Sequence, residues 1–259
     1  MPFTYASHQA PVLAIKLRWP AAVDGTAMVM GSMAPDWAYA LHGTGLAFDA
    51  HGGWGLVLFC VPAAVVAATI LRRVAPVLFT YLPSPPALPL RQLRVLGGRR
   101  PRLPVSLASG LVGALTHVAW DVFTHDGDWG PRHIAWLRST AVEVAGHSLS
   151  WAKVLQYASH VGGALVSVYL LSRILRSGSL LRWYGVAAVD DAPAPEGTVR
   201  FWTVTAAGLL AGTAWSAMGE PGLPGQIIRV SLGVAVGLVA ASVACAREPR
   251  TAAAPRRTT

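Results

Sequence analysis

The chain has 259 residues, of which 53% are hydrophobic and only 13% are Asp, Glu, Lys or Arg, about half the charged fraction of a soluble domain. With a mean hydropathy of +0.46 and several uncharged stretches of about twenty residues, this composition excludes an ordinary soluble domain and predicts a multi-pass helical membrane protein. The formal net charge of +9 does not call for nucleic acid as a partner, because most of the positive charge lies between or after apolar runs, where anionic lipid and the positive-inside rule account for it.

Residues 1–52 are mixed. Thr4 or Ser7 suits the start of a short helix to about Leu17 with Pro11 in its first turn, and Pro20 stops it. Lys16 and Arg18 interrupt this stretch, so no cleavable signal peptide is evident. Residues 26–34 are apolar, but Asp24 and Asp36 leave too short a run between them for a clean crossing, and a re-entrant or partly embedded helical region is expected. The first convincing span covers 53–71 and ends at Arg72–Arg73. The loop 72–104 then carries seven of the chain's 21 basic residues and no acidic one, which predicts a cytoplasmic position.

The second span, 105–123, delivers His117 and Asp121 to the opposite side, followed by an extracytoplasmic segment 124–150. A third span runs from about 154 to 172 with His160 inside it. The 173–200 loop contains a turn-like Asp190–Pro195 patch. Spans four (about 201–218) and five (about 227–245) lack His, Asp and Lys and read as packing elements, and the Ala-, Pro- and Thr-rich tail 246–259 reads as disordered and cytoplasmic. The expected architecture is therefore all-α: a bundle of about five transmembrane helices with a partly embedded N-terminal region. It divides into a core (1–175), two C-terminal packing helices (176–245) and the tail. Cys60 and Cys245 lie in apolar runs and are expected as buried thiols.

Sidedness turns this order into a candidate site. With loop 72–104 inside, His51 precedes span one on the outer side, where span two brings His117, Asp121 and His125. His8 and Asp36 belong to the same side unless 12–34 cross. Residues four apart share a helix face, so His117 and Asp121 can offer an imidazole nitrogen and a carboxylate oxygen to one divalent metal of the zinc type. His8, Asp36 and His51 would complete four or five ligands. His125 is a further candidate, two metals become possible if His147 and His160 also join, and Asp126 or Asp128 could orient ligand imidazoles. The bland readings are a helix-surface hydrogen bond for His117–Asp121, a helix–helix hydrogen bond for His160, loop roles for His42, His133 and His147, and turn or capping roles for Asp24 and Asp49. Trp37, Trp54, Trp129, Trp136 and Trp151 read as interfacial anchors on the outer side.

The opening Met1–Ala10, the segment Gly31–Asp36, the His51 region, Thr116–His125 and Leu155–His160 resemble a bacterial membrane-protein family of unknown function, domain of unknown function 4184. That resemblance implies a bacterial cell-membrane location. The order early His, Pro-Asp, His, His-x-x-x-Asp is also distantly similar to LexA-regulated membrane-bound metal-dependent hydrolases and to zinc-dependent phospholipase C. This likeness implies His8, Asp36, His51, His117 and Asp121 as metal ligands. The His-x-x-x-Glu pair of the phospholipases is absent, since His147 is followed by Trp151 and His160 by Ala164 at that spacing, which argues against a three-zinc centre and against phospholipase activity. The expected function is a metal-dependent hydrolase of a lipid or envelope (phospho)ester, with Asp36, His117 and Asp121 at the chemistry. The alternative is a non-catalytic membrane protein that uses the cluster for structure, sensing or transport.

Overall fold

The computed structural model describes residues 4–144, 146–189 and 197–246. The expected Asp190–Pro195 turn, and the expected tail from residue 247 onward, lie outside the described residues. Four stretches, Gly53–Tyr81, Leu103–His133, Trp151–Arg176 and Gly222–Ala246, are long and apolar enough to cross a membrane. Only 17–33% of each apolar window is buried within the protein, which leaves most of its surface to face lipid. The chain is a helical multi-pass membrane bundle.

The N-terminal region is a string of short helices, α1 (Thr4–Ser7), α2 (Gln9–Arg18), α3 (Gly25–Gly31) and α4 (Ala34–Trp37), followed by a 3-10 turn over Ala38–Leu41. Pro11 is accommodated early in α2, which ends at Trp19 before Pro20. Asp24 caps α3 by accepting the Ala27 N–H (3.2 Å). The first long stretch starts as α5 (Gly53–Gly55), passes through a π-helical segment Leu56–Cys60, and continues as α6 (Val61–Tyr81). A 3-10 segment, Leu90–Gly98, leads to α7 (Leu103–Thr124). Two short helices, α8 (Trp129–His133) and α9 (Ala135–Arg138), precede an antiparallel hairpin of β1 (Thr140–Val144) and β2 (His147–Ser150), the only strands among the described residues. Then come α10 (Trp151–Arg176), α11 (Ser179–Tyr184), α12 (Thr198–Ser216) and α13 (Gly222–Ala246).

Two differences from the sequence reading have physical causes. The first span does not stop at Arg72: α6 runs on to Tyr81 because Arg72 is buried and pairs with Asp24. Ser106 Oγ also donates to Asp24 Oδ2 (2.6 Å), and Ser109 Oγ accepts the Asp24 N–H (2.9 Å). A charge that would be costly in lipid is thus compensated inside the bundle. The expected fourth span is α12, which carries Arg200 and is not among the four long apolar stretches. It pairs with α13 through glycines: a Cβ on Gly212 would meet Arg229 O at 2.8 Å, and one on Gly237 would meet Thr205 O at 2.8 Å. Small residues let membrane helices approach this closely.

The same device sets the site. A Cβ on Gly31 would collide with the Gly110 carbonyl, and one on Gly113 with the Met28 carbonyl. Helix α3 therefore lies directly against α7, one turn before His117. A Cβ on Gly163 would meet Ser7 Cβ at 2.8 Å, so α10 lets α1 close in and present His8 to the same place. Arg229, fully buried on α13, donates to the carbonyls of Ala40, His42, Trp215 and Met218, tying the C-terminal hairpin to the turn after α4.

Candidate metal centre

His8 sits at the junction of α1 and α2, Asp36 in α4, His51 just before α5, and His117 and Asp121 one turn apart on α7. Five residues from four places along the chain meet. His117 Nε2 lies 3.1 Å from Asp121 Oδ2 and 3.6 Å from Asp36 Oδ1. His51 Nε2 is 3.8 Å from Asp121 Oδ2 and 3.9 Å from Asp36 Oδ1, and His8 Nε2 is 3.6 Å from Asp121 Oδ1. Donors at the corners of a tetrahedron about an ion with bonds of ~2.1 Å are ~3.4 Å apart, so these individual separations are of the order that a small divalent cation bridges. Two groups, His8–His117–Asp121 and Asp36–His51–His117, each present ligand atoms within 4.8 Å of one another and could hold a metal.

Hydrogen bonding sets the state of His117. Its Nδ1 donates to Ser32 O (2.8 Å), a carbonyl that can only accept, so in the neutral ring Nε2 carries a lone pair. That nitrogen is buried and has no hydrogen-bond partner, and neither has His51 Nε2. Lone pairs turned toward two carboxylates repel unless a cation or a proton lies between them, and buried unsatisfied polar atoms call for such an explanation. The donor set therefore fits a divalent ion that accepts imidazole nitrogen and carboxylate oxygen.

Burial keeps two of the imidazoles, His8 and His51, neutral, the form that binds metal. Burial, and then the neighbouring His117, push His8 down to about 3. Its ring stacks on that of His117 with centroids 3.8 Å apart. His51 is lowered by burial and by His117, against the opposing pull of Asp36 and Asp121. Tyr39, whose ring lies 5.6 Å from that of His51, is raised to about 12 by burial and by Asp36. His51 is oriented by an Asx turn, its N–H donating to Asp49 Oδ1 (2.8 Å).

His125, the sixth candidate, stands apart from both groups. Its Nδ1 is 3.3 Å from Asp121 O and 3.7 Å from Asp121 Oδ1, and its Nε2 is 2.8 Å from the Gln156 amide nitrogen. Either orientation of that amide takes up Nε2, so His125 backs Asp121 rather than facing the cluster. His147 is exposed on β2 and His133 stacks on Trp129 (4.8 Å), while His160 is buried against Tyr157 (6.2 Å). Sequence reasoning did not identify Ser32 or Gln156. A backbone carbonyl leaves no mark in a sequence, whereas Gln156 falls within the 155–160 segment that resembled the family.

A cavity of about 430 Å³ adjoins the cluster, bordered by Tyr39, His42, Phe48 and His51. Leu46, Phe48 and Trp54 are exposed beside it, and Trp129 and Trp136 are exposed at the same end of the bundle.

The family model for DUF4184, a domain of unknown function, matches residues 1–246. No curated protein and no solved structure matches the chain, and the comparisons give no support for homology to metal hydrolases or to phospholipase C. The chain belongs to the DUF4184 family.

Proposed function

We propose that this DUF4184 chain is a metal-dependent hydrolase of the membrane, acting on a lipid or envelope ester or phosphoester at the extracytoplasmic face. The observation that carries this reading is the meeting of three imidazoles and two carboxylates, two of whose nitrogens are buried without a hydrogen-bond partner. His8, Asp36, His51, His117 and Asp121 would hold one ion, zinc being the metal this nitrogen and oxygen set suits best. A single ion is favoured because His117 has only Nε2 to offer, Nδ1 being committed to Ser32. When bound, such an ion supplies Lewis-acid polarisation of water and of the ester oxygen.

The chain's own residues supply placement. Ser32 fixes the His117 tautomer, Asp49 orients His51, and His125 with Gln156 steadies Asp121. The His51 side chain is 26% exposed against 1% for His117, so the approach for substrate is on the His51 side, through the adjoining cavity. The exposed Leu46, Phe48 and Trp54 suit an amphiphilic substrate arriving from the membrane.

The deep burial of His8, Asp36 and His117 favours a second reading, in which the ion is held for structure, sensing or passage. Purified chain loaded with Zn²⁺ should cleave a chromogenic ester, phosphodiester or fluorogenic lipid, and Asp36→Asn should lower that rate by about 10²-fold or more. Bound metal with no turnover on any of the three would select the second reading.

A further inference from the structure

At the end of the bundle away from the His/Asp cluster lies a cavity of about 650 Å³, within the range of about 300–1,000 Å³ typical of small-molecule sites. Its walls are apolar: Val12 and Leu13 of α2, Val29 of α3, Phe79 of α6, Leu96 of the 3-10 segment and Ile174 of α10. Its rim is cationic, with Lys16, Arg99, Arg100 and Arg102. Among the described residues Asp24 is the only carboxylate in the lining, and it is neutralised by Arg72 and takes the Ser106 hydroxyl and the Ala27 N–H.

The rim cations are not equivalent. Lys16 Nζ donates to Pro20 O (2.7 Å) and Val23 O (2.8 Å) and lies 5.2 Å from the Trp183 ring centroid, so it is fixed in place. Arg99 donates to Trp183 O (3.3 Å). Arg100 and Arg102 are exposed, and their side chains have no hydrogen-bond or ion-pair partner among the described residues. An apolar chamber beneath two uncommitted guanidinium groups matches a molecule with a hydrocarbon tail and an anionic head. A free inorganic anion would gain nothing from the apolar walls. A zwitterionic lipid would bring a cation of its own to the rim.

We propose that this cavity binds an anionic phospholipid of the surrounding membrane, one acyl chain lying among Val29, Phe79 and Ile174 and the phosphate against Arg100 and Arg102. The site shares no residue with the metal centre.

The test is native mass spectrometry and thermal unfolding of the full chain in detergent with phosphatidylglycerol, phosphatidylcholine of the same chains, or inorganic phosphate. Phosphatidylglycerol should bind about tenfold tighter than phosphatidylcholine, and Arg100→Gln with Arg102→Gln should remove that preference. Both arginines are exposed, so this variant should keep the size-exclusion profile of the parent. Val29→Trp, which fills the chamber, should weaken both lipids; if it fails to fold, the rim variant decides alone. Equal binding of the two lipids, an unaltered preference in the rim variant, or stabilisation by inorganic phosphate equal to that by phosphatidylglycerol would overturn the proposal.

Discussion

His117 donates a hydrogen bond from Nδ1 to Ser32 O, and that one bond decides what the other nitrogen can do. A ring so anchored turns a lone pair toward Asp36 and Asp121, so the site is built for a cation before any cation arrives. His8, stacked on it, is held neutral for a different reason, namely burial. In metal-stripped protein this has a consequence for pH. The folded-state value of about 3 lies below the ordinary value near 6.5, so between the two the unfolded chain binds a proton that the folded chain does not. Stability should be fully present above about pH 6.5 and fall as the pH drops below it, by up to about 1.4 kcal/mol per unit for this histidine. His51 is shifted in the same direction. Thermal unfolding of the apo-protein at pH 7 and pH 5 should give the lower midpoint at pH 5; an equal or higher midpoint would show that His8 and His51 are not held neutral. At this scale the sequence was readable where chemistry repeats at helical spacing, as in His117-x-x-x-Asp121. It was silent on Ser32, whose contribution is a main-chain oxygen, and on the commitment of His125 to Gln156.

Helix α3 is short and would be marginal alone, yet it positions both polar centres of the protein. Its first residues carry Asp24 to Arg72, and its end brings the Ser32 carbonyl to His117. Close contact with α7 at Gly31, Gly110 and Gly113 makes this possible. Sequence reading recognised that 26–34 was too short to cross and expected a partly embedded element, but it ended the first span at Arg72. Hydropathy treats the Arg72–Arg73 pair as a boundary, and nothing in local sequence says that the partner of Arg72 lies 48 residues earlier. Asp24→Ala removes one member of a buried pair and should cost about 3–5 kcal/mol, seen as a lower unfolding temperature in detergent. A change under 1 kcal/mol would mean that water reaches Arg72. The expected fourth span, α12, falls outside the four long apolar stretches and packs along α13 through glycines that give no hydropathy signal.

Across the whole molecule, polar chemistry is concentrated at the two ends of α7. Ser106 and Ser109 serve the Asp24–Arg72 pair, while His117 and Asp121 serve the His/Asp cluster. From Ser106 to Asp121 the helix rises about 22 Å, most of a bilayer core. The arginine-rich segment lies at one end and the exposed Trp54, Trp129 and Trp136 at the other. The bundle was legible in the sequence because its lipid-facing surface needs apolar residues all along each span. The cluster was legible from the helical spacing of His117 and Asp121, from the sidedness that the loop charges imply and from the order of its His and Asp residues. If loop 72–104 is cytoplasmic, a cysteine placed at Ser139 should react with an impermeant thiol reagent in intact cells and one at Ser84 should not. Both native thiols are buried, so the background is low, and the reverse labelling pattern would put the cluster on the cytoplasmic side.

Elemental analysis of the purified chain tests the central claim most directly. The parent protein, dialysed after loading with Zn²⁺, should retain about one equivalent per chain, and His125→Ala should retain as much, whereas His117→Ala and Asp121→Asn, each still folded, should lose it. Metal retained by the His117→Ala variant, or none retained by the folded parent, would contradict the account.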